Sequence, residues 1–215
     1  GALADILTGR EKQIYKDNAE KTGGWHGFRT FRVRKKEKES SVITSFYLEP
    51  EDGGALPIYL PGQYITVRMP TPDGSTTMRN YSLSDKPGQD YFRISVKRET
   101  APKANTPEGY VSNKLHNEID IQDMIEVGPP CGEFFLDLKD RHERPLVLLA
   151  AGVGITPILS IMKSAIESMP YRDIIFIHGC LNEEVQPFKA LIDGLAEKHE
   201  NLKVHYRYSA PETDN

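Results

Sequence analysis

The sequence predicts a two-domain α+β protein: an antiparallel six-stranded β-barrel, then an α/β domain with a doubly wound parallel sheet, with a short helix in front. Three observations predict it. From residue 27 apolar side chains alternate with polar ones in short runs broken by Gly/Pro turns, the pattern of half-buried antiparallel strands. From residue 144 strand and helix patterns alternate, which implies parallel strands joined by crossovers. Between Leu3 and Ala19, the residues Leu3, Ile6, Leu7, Ile14 and Tyr15 fall at partly helical spacing and stop before Gly23-Gly24. The expected division is 1–22, 23–140 and 141–215.

Each barrel strand has its own signal. Val42, Thr44, Phe46 and Leu48 alternate, as do Ile65, Val67 and Met69, and Phe92, Ile94 and Val96. Asp52-Gly53-Gly54, Pro72-Asp73-Gly74 and Lys86-Pro87-Gly88 supply the turns between them. Segments 31–33, 79–84 and 124–127 complete six strands. In the second domain, strands are expected at 146–150, 173–178 and 202–208. The helix after the first would bury Ile158, Leu159, Met162, Ala165 and Ile166, and the helix after the second Phe188, Leu191, Ile192 and Leu195. Three strands are half of a doubly wound sheet and the N-terminal helix cannot cover its own apolar face, so truncation at both ends is the expectation.

Composition narrows the function. The 215 residues carry 27 Lys+Arg against 31 Asp+Glu, a net charge of -4, so no footprint for nucleic acid is present. The basic run 29–38 is interrupted by Glu37 and Glu39 and reads as a solvated strand edge. Cys131 and Cys180 lie far apart, which suits a reducing compartment, and two thiols cannot hold an iron–sulfur cluster. Gly152, Gly154, Thr156 and Pro157 interrupt the longest apolar stretch, so no membrane span is expected and a cytoplasmic location is. The histidines, among them His26, His116, His178 and His205, show no metal-ligand spacing and read as structural or solvent-facing, and no serine or cysteine sits in a nucleophile elbow.

Three segments carry chemistry. Gly152-Val153-Gly154-Ile155-Thr156-Pro157 follows a buried strand and opens a helix. Such a glycine turn lets backbone approach a pyrophosphate, with free N–H groups and the positive helix end behind it. Thr156 reads as the N-cap and Pro157 as the first helical residue. The third glycine of the usual dinucleotide fingerprint is missing, and a ligand-free tight turn is the alternative. Arg79-Asn80-Tyr81-Ser82 puts a phosphate-pairing guanidinium, a stacking ring and a hydroxyl in one strand, with Tyr64 of Pro61-Gly62-Gln63-Tyr64 beside it. A serine hydroxyl or backbone N–H there can bond the hydride-accepting nitrogen of a flavin, and the alternative for the arginine is a solvated edge. Gly109-Tyr110-Val111-Ser112 opens a short helix and is either a second anion site or a surface turn.

In this order the three segments resemble the ferredoxin–NADP reductase superfamily: R-x-Y-S at 79–82, G-x-V-S at 109–112 and G-x-G-x-T-P at 152–157. More narrowly, the chain resembles the reductase part of the flavohemoglobins, the nitric oxide dioxygenases. Leu3-Ala4-Asp5-Ile6, Glu11-Lys12-Gln13-Ile14-Tyr15 and Gly23-Gly24-Trp25 look like a last globin helix and linker, and Gly128-Pro129-Pro130-Cys131-Gly132-Glu133-Phe134-Phe135 also fits.

The resemblance implies FAD on Tyr64, Arg79, Asn80, Tyr81 and Ser82, with Gly109, Tyr110, Val111 and Ser112 at its diphosphate. It implies NAD(P)H on Gly152, Val153, Gly154, Ile155, Thr156 and Pro157, and Tyr81 and Ser82 at the hydride-transfer point. Carboxylates Glu183 and Glu184 after the second strand repel a 2′-phosphate, so NADH is the expected donor, with Arg207 the residue that opposes this. The implied partner is a globin domain upstream in the same polypeptide, holding haem b that these residues do not bind, with O2 and nitric oxide as substrates and a monomer as the state. The globin body, a later C-G-P-type nicotinamide segment and a C-terminal aromatic over the flavin are not in these residues. A stand-alone flavin or ferric reductase, an oxygenase reductase component, and a catalytically incomplete flavin-binding fragment are the alternatives.

Overall fold

The computed structural model describes residues 24–101, 103, 106–140 and 144–211. The helix expected over 3–19 lies outside them.

Six strands make the first sheet: β1 (Arg29–Lys38), β2 (Ile43–Pro50), β3 (Tyr64–Pro70), β4 (Thr76–Ser82), β5 (Phe92–Lys97) and β6 (Met124–Val127). Their order is β4-β3-β6-β1-β2-β5 and every pairing is antiparallel. The two outer strands meet through a Leu83–Ile94 bridge, and the Ser84 N–H donates to the Arg93 carbonyl at 2.8 Å, closing the sheet into a barrel. Phe31, Phe46 and Phe92 fill the interior, with Phe31 and Phe92 stacked at 5.6 Å. Trp25 packs on this core and donates Nε1–H to the Val127 carbonyl at 3.1 Å.

The basic run 29–38 is not an edge. It forms β1, flanked by β6 and β2. The period-two pleat sends Phe31 and Val33 into the core, and outward-facing charges find partners: Arg32 with Glu49 at 3.0 Å, Arg34 with Asp90 at 2.8 Å. It is a solvated face of a central strand.

Helix α1 (Tyr110–Asn117) lies between β5 and β6. The second sheet is parallel, in the order β7 (Leu146–Ala151), β8 (Ile174–Cys180), β9 (Leu202–Tyr208). Helix α2 (Ile155–Ser168) joins β7 to β8, and helix α3 (Lys189–Lys198) joins β8 to β9. Ile158, Leu159, Met162, Ala165 and Ile166 are buried as expected. Phe188 is buried too, but ahead of α3, in the left-handed region at φ 63°, and Leu191 points to solvent. Periodicity cannot see this: Pro187 breaks the pattern just before Phe188, so its ring reaches the core from the loop. Among the described residues no helix is long and apolar enough to cross a membrane.

Candidate functional site

The barrel and the parallel-sheet region face each other across a cleft of about 420 Å³. Specific small-molecule sites span roughly 300–1,000 Å³. One wall is Arg79, Asn80, Tyr81 and Ser82 of β4 with Ser95 and Lys97 of β5. Glu99, Gly109, Val111 and Ser112 continue it, and Val153, Gly154, Thr156 and Pro157 form the other side. Three sequence segments separated by up to 78 positions, from Arg79 to Pro157, thus share one space.

Arg79 is exposed on an edge strand. Its Nη1 donates to the Met78 carbonyl at 2.7 Å and to Thr77 Oγ1 at 3.3 Å, and among the described residues no carboxylate pairs with it. A cation held by neutral acceptors keeps its charge for an anion. Tyr81 is half-buried against the barrel core, and its phenol is pushed up to about 12 by burial, with Arg79 opposing and Glu99 assisting. It is a neutral ring with one face in the cleft wall. The hydroxyl of Ser82 lies next to it in β4, in register with Tyr64 of β3.

Both helix starts at the cleft lack a side-chain cap. Helix α1 is preceded by Gly109 and helix α2 by Gly154. The first-turn N–H groups of α1 have no intrahelical acceptor, whereas the Ile155 N–H that opens α2 donates to the Gly152 and Val153 carbonyls of the turn before it. A Cβ added at Gly152 or Gly154 would meet nothing within 4 Å, so open space adjoins this backbone. Gly109 is the opposite case: a Cβ there would lie 2.7 Å from Ser112 Oγ and 2.8 Å from Glu99 Cβ. The glycine is needed to let α1 start against the end of β5, where the Gly109 N–H donates to the Glu99 carbonyl at 3.0 Å.

Thr156 is not the N-cap. A short 3-10 turn over Gly152–Gly154 precedes α2, which begins at Ile155, and Thr156 Oγ1 donates to the Val153 carbonyl at 3.1 Å. Pro157 is the third helical residue, where a missing N–H still costs no helical bond. Four of the sequence-derived residues do not line the cleft. The Tyr64 ring stands against Gly132, with its backbone bridged to Cys131. Tyr110 donates its hydroxyl to the Pro70 carbonyl at 2.8 Å. Ile155 is fully buried in the α/β core, and Gly152 turns at φ 49° with its carbonyl 3.1 Å from His178 Nε2. Ser95, Lys97 and Glu99 line the cleft without having been expected. Alternation marks Phe92, Ile94 and Val96 as the inward set of β5, and hence Ser95 and Lys97 as outward, but no local signal says what covers that outer face.

The comparisons with known proteins fit this geometry. The oxidoreductase FAD-binding domain family matches residues 30–136, and the oxidoreductase NAD-binding domain family matches 148–215. A flavohemoprotein of Rhodopirellula baltica is 47% identical over 211 residues, 98% of this chain and 52% of that protein. One of Bacillus cereus is 44% identical over 213 residues, again 98% and 52%. The crystal structure of the flavohem-like FAD/NAD-binding domain of nitric oxide dioxygenase from Vibrio cholerae superposes with a TM-score of 0.78 at 34% identity, covering 86% of this chain and 76% of that one. The chain belongs to the flavohemoprotein reductase family. It spans about half the length of the curated flavohemoproteins it matches. The chain is an oxidoreductase segment with an FAD-binding and an NAD-binding part.

The residues present fit both cofactors. The cleft offers a half-buried ring, a cation that no carboxylate pairs with among the described residues, and two helix starts without a side-chain cap. FAD, when bound, accepts hydride from a nicotinamide and passes electrons on singly. Among the residues lining the cleft, Arg79 and the α1 start could hold phosphate, Tyr81 could stack on a ring and Ser82 could hydrogen-bond its edge.

Proposed function

We propose that this chain is the electron-input part of a nitric oxide dioxygenase: it takes hydride from NADH onto FAD and delivers electrons to a globin haem in the same polypeptide, where O2 and nitric oxide become nitrate. The single cleft shared by the two halves carries the reading, because it brings the ring-stacking wall and the second helix start into one space. Arg79, Asn80, Tyr81, Ser82, Gly109, Val111 and Ser112 are the proposed FAD side, with Tyr64 and Tyr110 supporting it from outside the cleft lining. Val153, Gly154, Thr156 and Pro157 are the proposed dinucleotide side, with Gly152 and Ile155 shaping the turn. The proposed division remains 1–22 for the globin end and linker, 23–140 for the barrel and 141–215 for the α/β part.

The preference for NADH rests on Glu183 and Glu184, both exposed just beyond β8. The charge of Glu183 is felt at Tyr208, the last residue of β9, so a 2′-phosphate at these strand ends would meet a carboxylate. A cytoplasmic monomer completes the reading. The test is anaerobic mixing of the FAD-loaded chain with NADH or NADPH, followed by addition of ferric globin. The reading expects flavin bleaching by NADH in preference to NADPH and then haem reduction. Bleaching without any electron delivery to haem would favour a stand-alone flavin reductase.

A further inference from the structure

Asp85 lies three residues beyond Ser82 and is buried where the barrel meets α2, with its side chain 4% exposed. Its carboxylate pairs with Lys163 of α2, accepts the Tyr91 hydroxyl at 3.0 Å, and stands 3.8 Å from the Arg93 guanidinium. Its backbone carbonyl accepts the Tyr59 hydroxyl at 2.6 Å and the Ser160 hydroxyl at 2.5 Å. Two of these contacts cross to α2, the helix whose first turn lines the far side of the cleft. Ser160 lies five residues past Ile155, about 7.5 Å along the axis.

The connection also runs back to the near wall. Arg93 donates to Ser84 Oγ at 3.1 Å and to the Ser84 carbonyl. Ser84 Oγ lies 2.7 Å from Ser95 Oγ, and Ser95 lines the cleft. Two charges from the barrel, both buried, and a partly buried one from α2 thus share a site beside the cleft. Burial would raise the Asp85 carboxyl, but Arg93 and Lys163 outweigh it and hold it low, so the site is ionic at neutral pH. An ionic site of this kind restricts geometry more than it adds stability, because desolvation offsets most of the attraction.

We propose that Asp85 is a positioning residue for hydride transfer: by tying the Ser82–Asp85 segment to Ser160 and Lys163, it fixes the separation between the ring-stacking wall and the first turn of α2. The inference rests on the proposed reductase reading. It differs from a structural role because it separates two properties. Asp85→Asn keeps shape but strands the Lys163 and Arg93 charges, so it loosens the tie and lowers stability together. Asp85→Asn with Lys163→Met removes one stranded charge and recovers stability, yet leaves the ionic half of the tie broken, with only the Ser160 contact to the residue 85 carbonyl remaining.

The experiment uses the full chain loaded with FAD. FAD affinity, thermal unfolding, amide hydrogen exchange over 152–162 and the limiting rate of flavin reduction by NADH are measured for wild type, Asp85→Asn, Lys163→Met and the double variant. Asp85→Asn is expected to hold FAD affinity within about twofold, speed exchange at the start of α2, and slow flavin reduction by about 10- to 100-fold, the scale of a small misplacement of reacting groups. The double variant is expected to regain its unfolding temperature but not its rate. Recovery of rate together with stability, or an unchanged rate and unchanged exchange in Asp85→Asn, would overturn the proposal. Should Asp85→Asn fail to fold, Lys163→Met alone must show faster exchange and a slower rate at unchanged FAD affinity, or the proposal falls. A wild-type chain that binds FAD yet is not reduced by NADH sinks the reductase reading instead, while exchange still decides whether the tie exists.

Discussion

On the barrel side the cleft presents charged, aromatic and hydroxyl side chains carried by paired strands, Arg79, Tyr81, Ser82 and Lys97 among them, whereas the facing side presents the uncharged Val153, Gly154, Thr156 and Pro157, with Gly154 at a helix start and Thr156 bonded back to its own turn. The first wall is proposed to recognise by charge and ring stacking. The second is proposed to recognise through a glycine that leaves room at the helix start and through the positive end of α2. Losing a side chain should therefore damage the first wall, and gaining one should damage the second.

The largest effect follows from adding bulk to the second wall. Gly154 has φ -61°, so the backbone accepts a side chain, and the added atoms would project into open cleft. Gly154→Val is expected to weaken NADH binding by about 100-fold, as a displaced ligand requires, with FAD affinity unchanged. Equal losses of both cofactors in a titration would show that the walls are not separate. The next effect comes from removing charge on the first wall. Arg79→Ala is expected to weaken FAD by about 1–3 kcal/mol, the scale of a charge-assisted contact, and to spare NADH binding to flavin-loaded protein. Unchanged FAD affinity would make Arg79 a solvated edge residue only.

The smallest effect concerns pH and the support under the second wall. His178 is fully buried beneath the glycine turn, and burial holds its imidazole below the ordinary range against a weaker upward pull from the Gly152 carbonyl. Below about pH 6.5 the unfolded chain takes up a proton there that the folded chain refuses, so stability must fall as pH drops. His116, also lowered chiefly by burial, adds to the same slope on the barrel side. Urea unfolding at two pH values either side of 6.5 checks this. His178→Gln should flatten part of the slope, and an unchanged slope would place the linkage elsewhere.

These two walls were unequally legible. Arg79 through Ser82 and Gly109 through Ser112 are contiguous motifs whose residue types state their chemistry, and the structure brings both to the cleft with the exception of Tyr110. Ser95, Lys97 and Glu99 carry no such mark, since strand alternation says which face they occupy but not what that face meets. The fold shows the same division. Strand runs such as Phe92, Ile94 and Val96 read directly from period two. That the basic run 29–38 sits in the middle of a barrel depends on long-range pairing with β6 and β2, which no local pattern encodes. A threonine before a proline has the local signature of a cap, but the glycine turn starts α2 at Ile155, ahead of Thr156. Asp85 is silent in the sequence: its partners Arg93 and Lys163 are 8 and 78 positions away.

The central claim is that one groove between the two halves holds FAD. Equilibrium dialysis of the FAD-free chain against FAD, read by visible absorbance and flavin fluorescence, tests it most directly. The expected result is a yellow protein with one FAD per chain, held less tightly by the Arg79→Ala variant. A colourless chain that takes up no FAD, or uptake indifferent to Arg79 and to Tyr81→Ala alike, would contradict it.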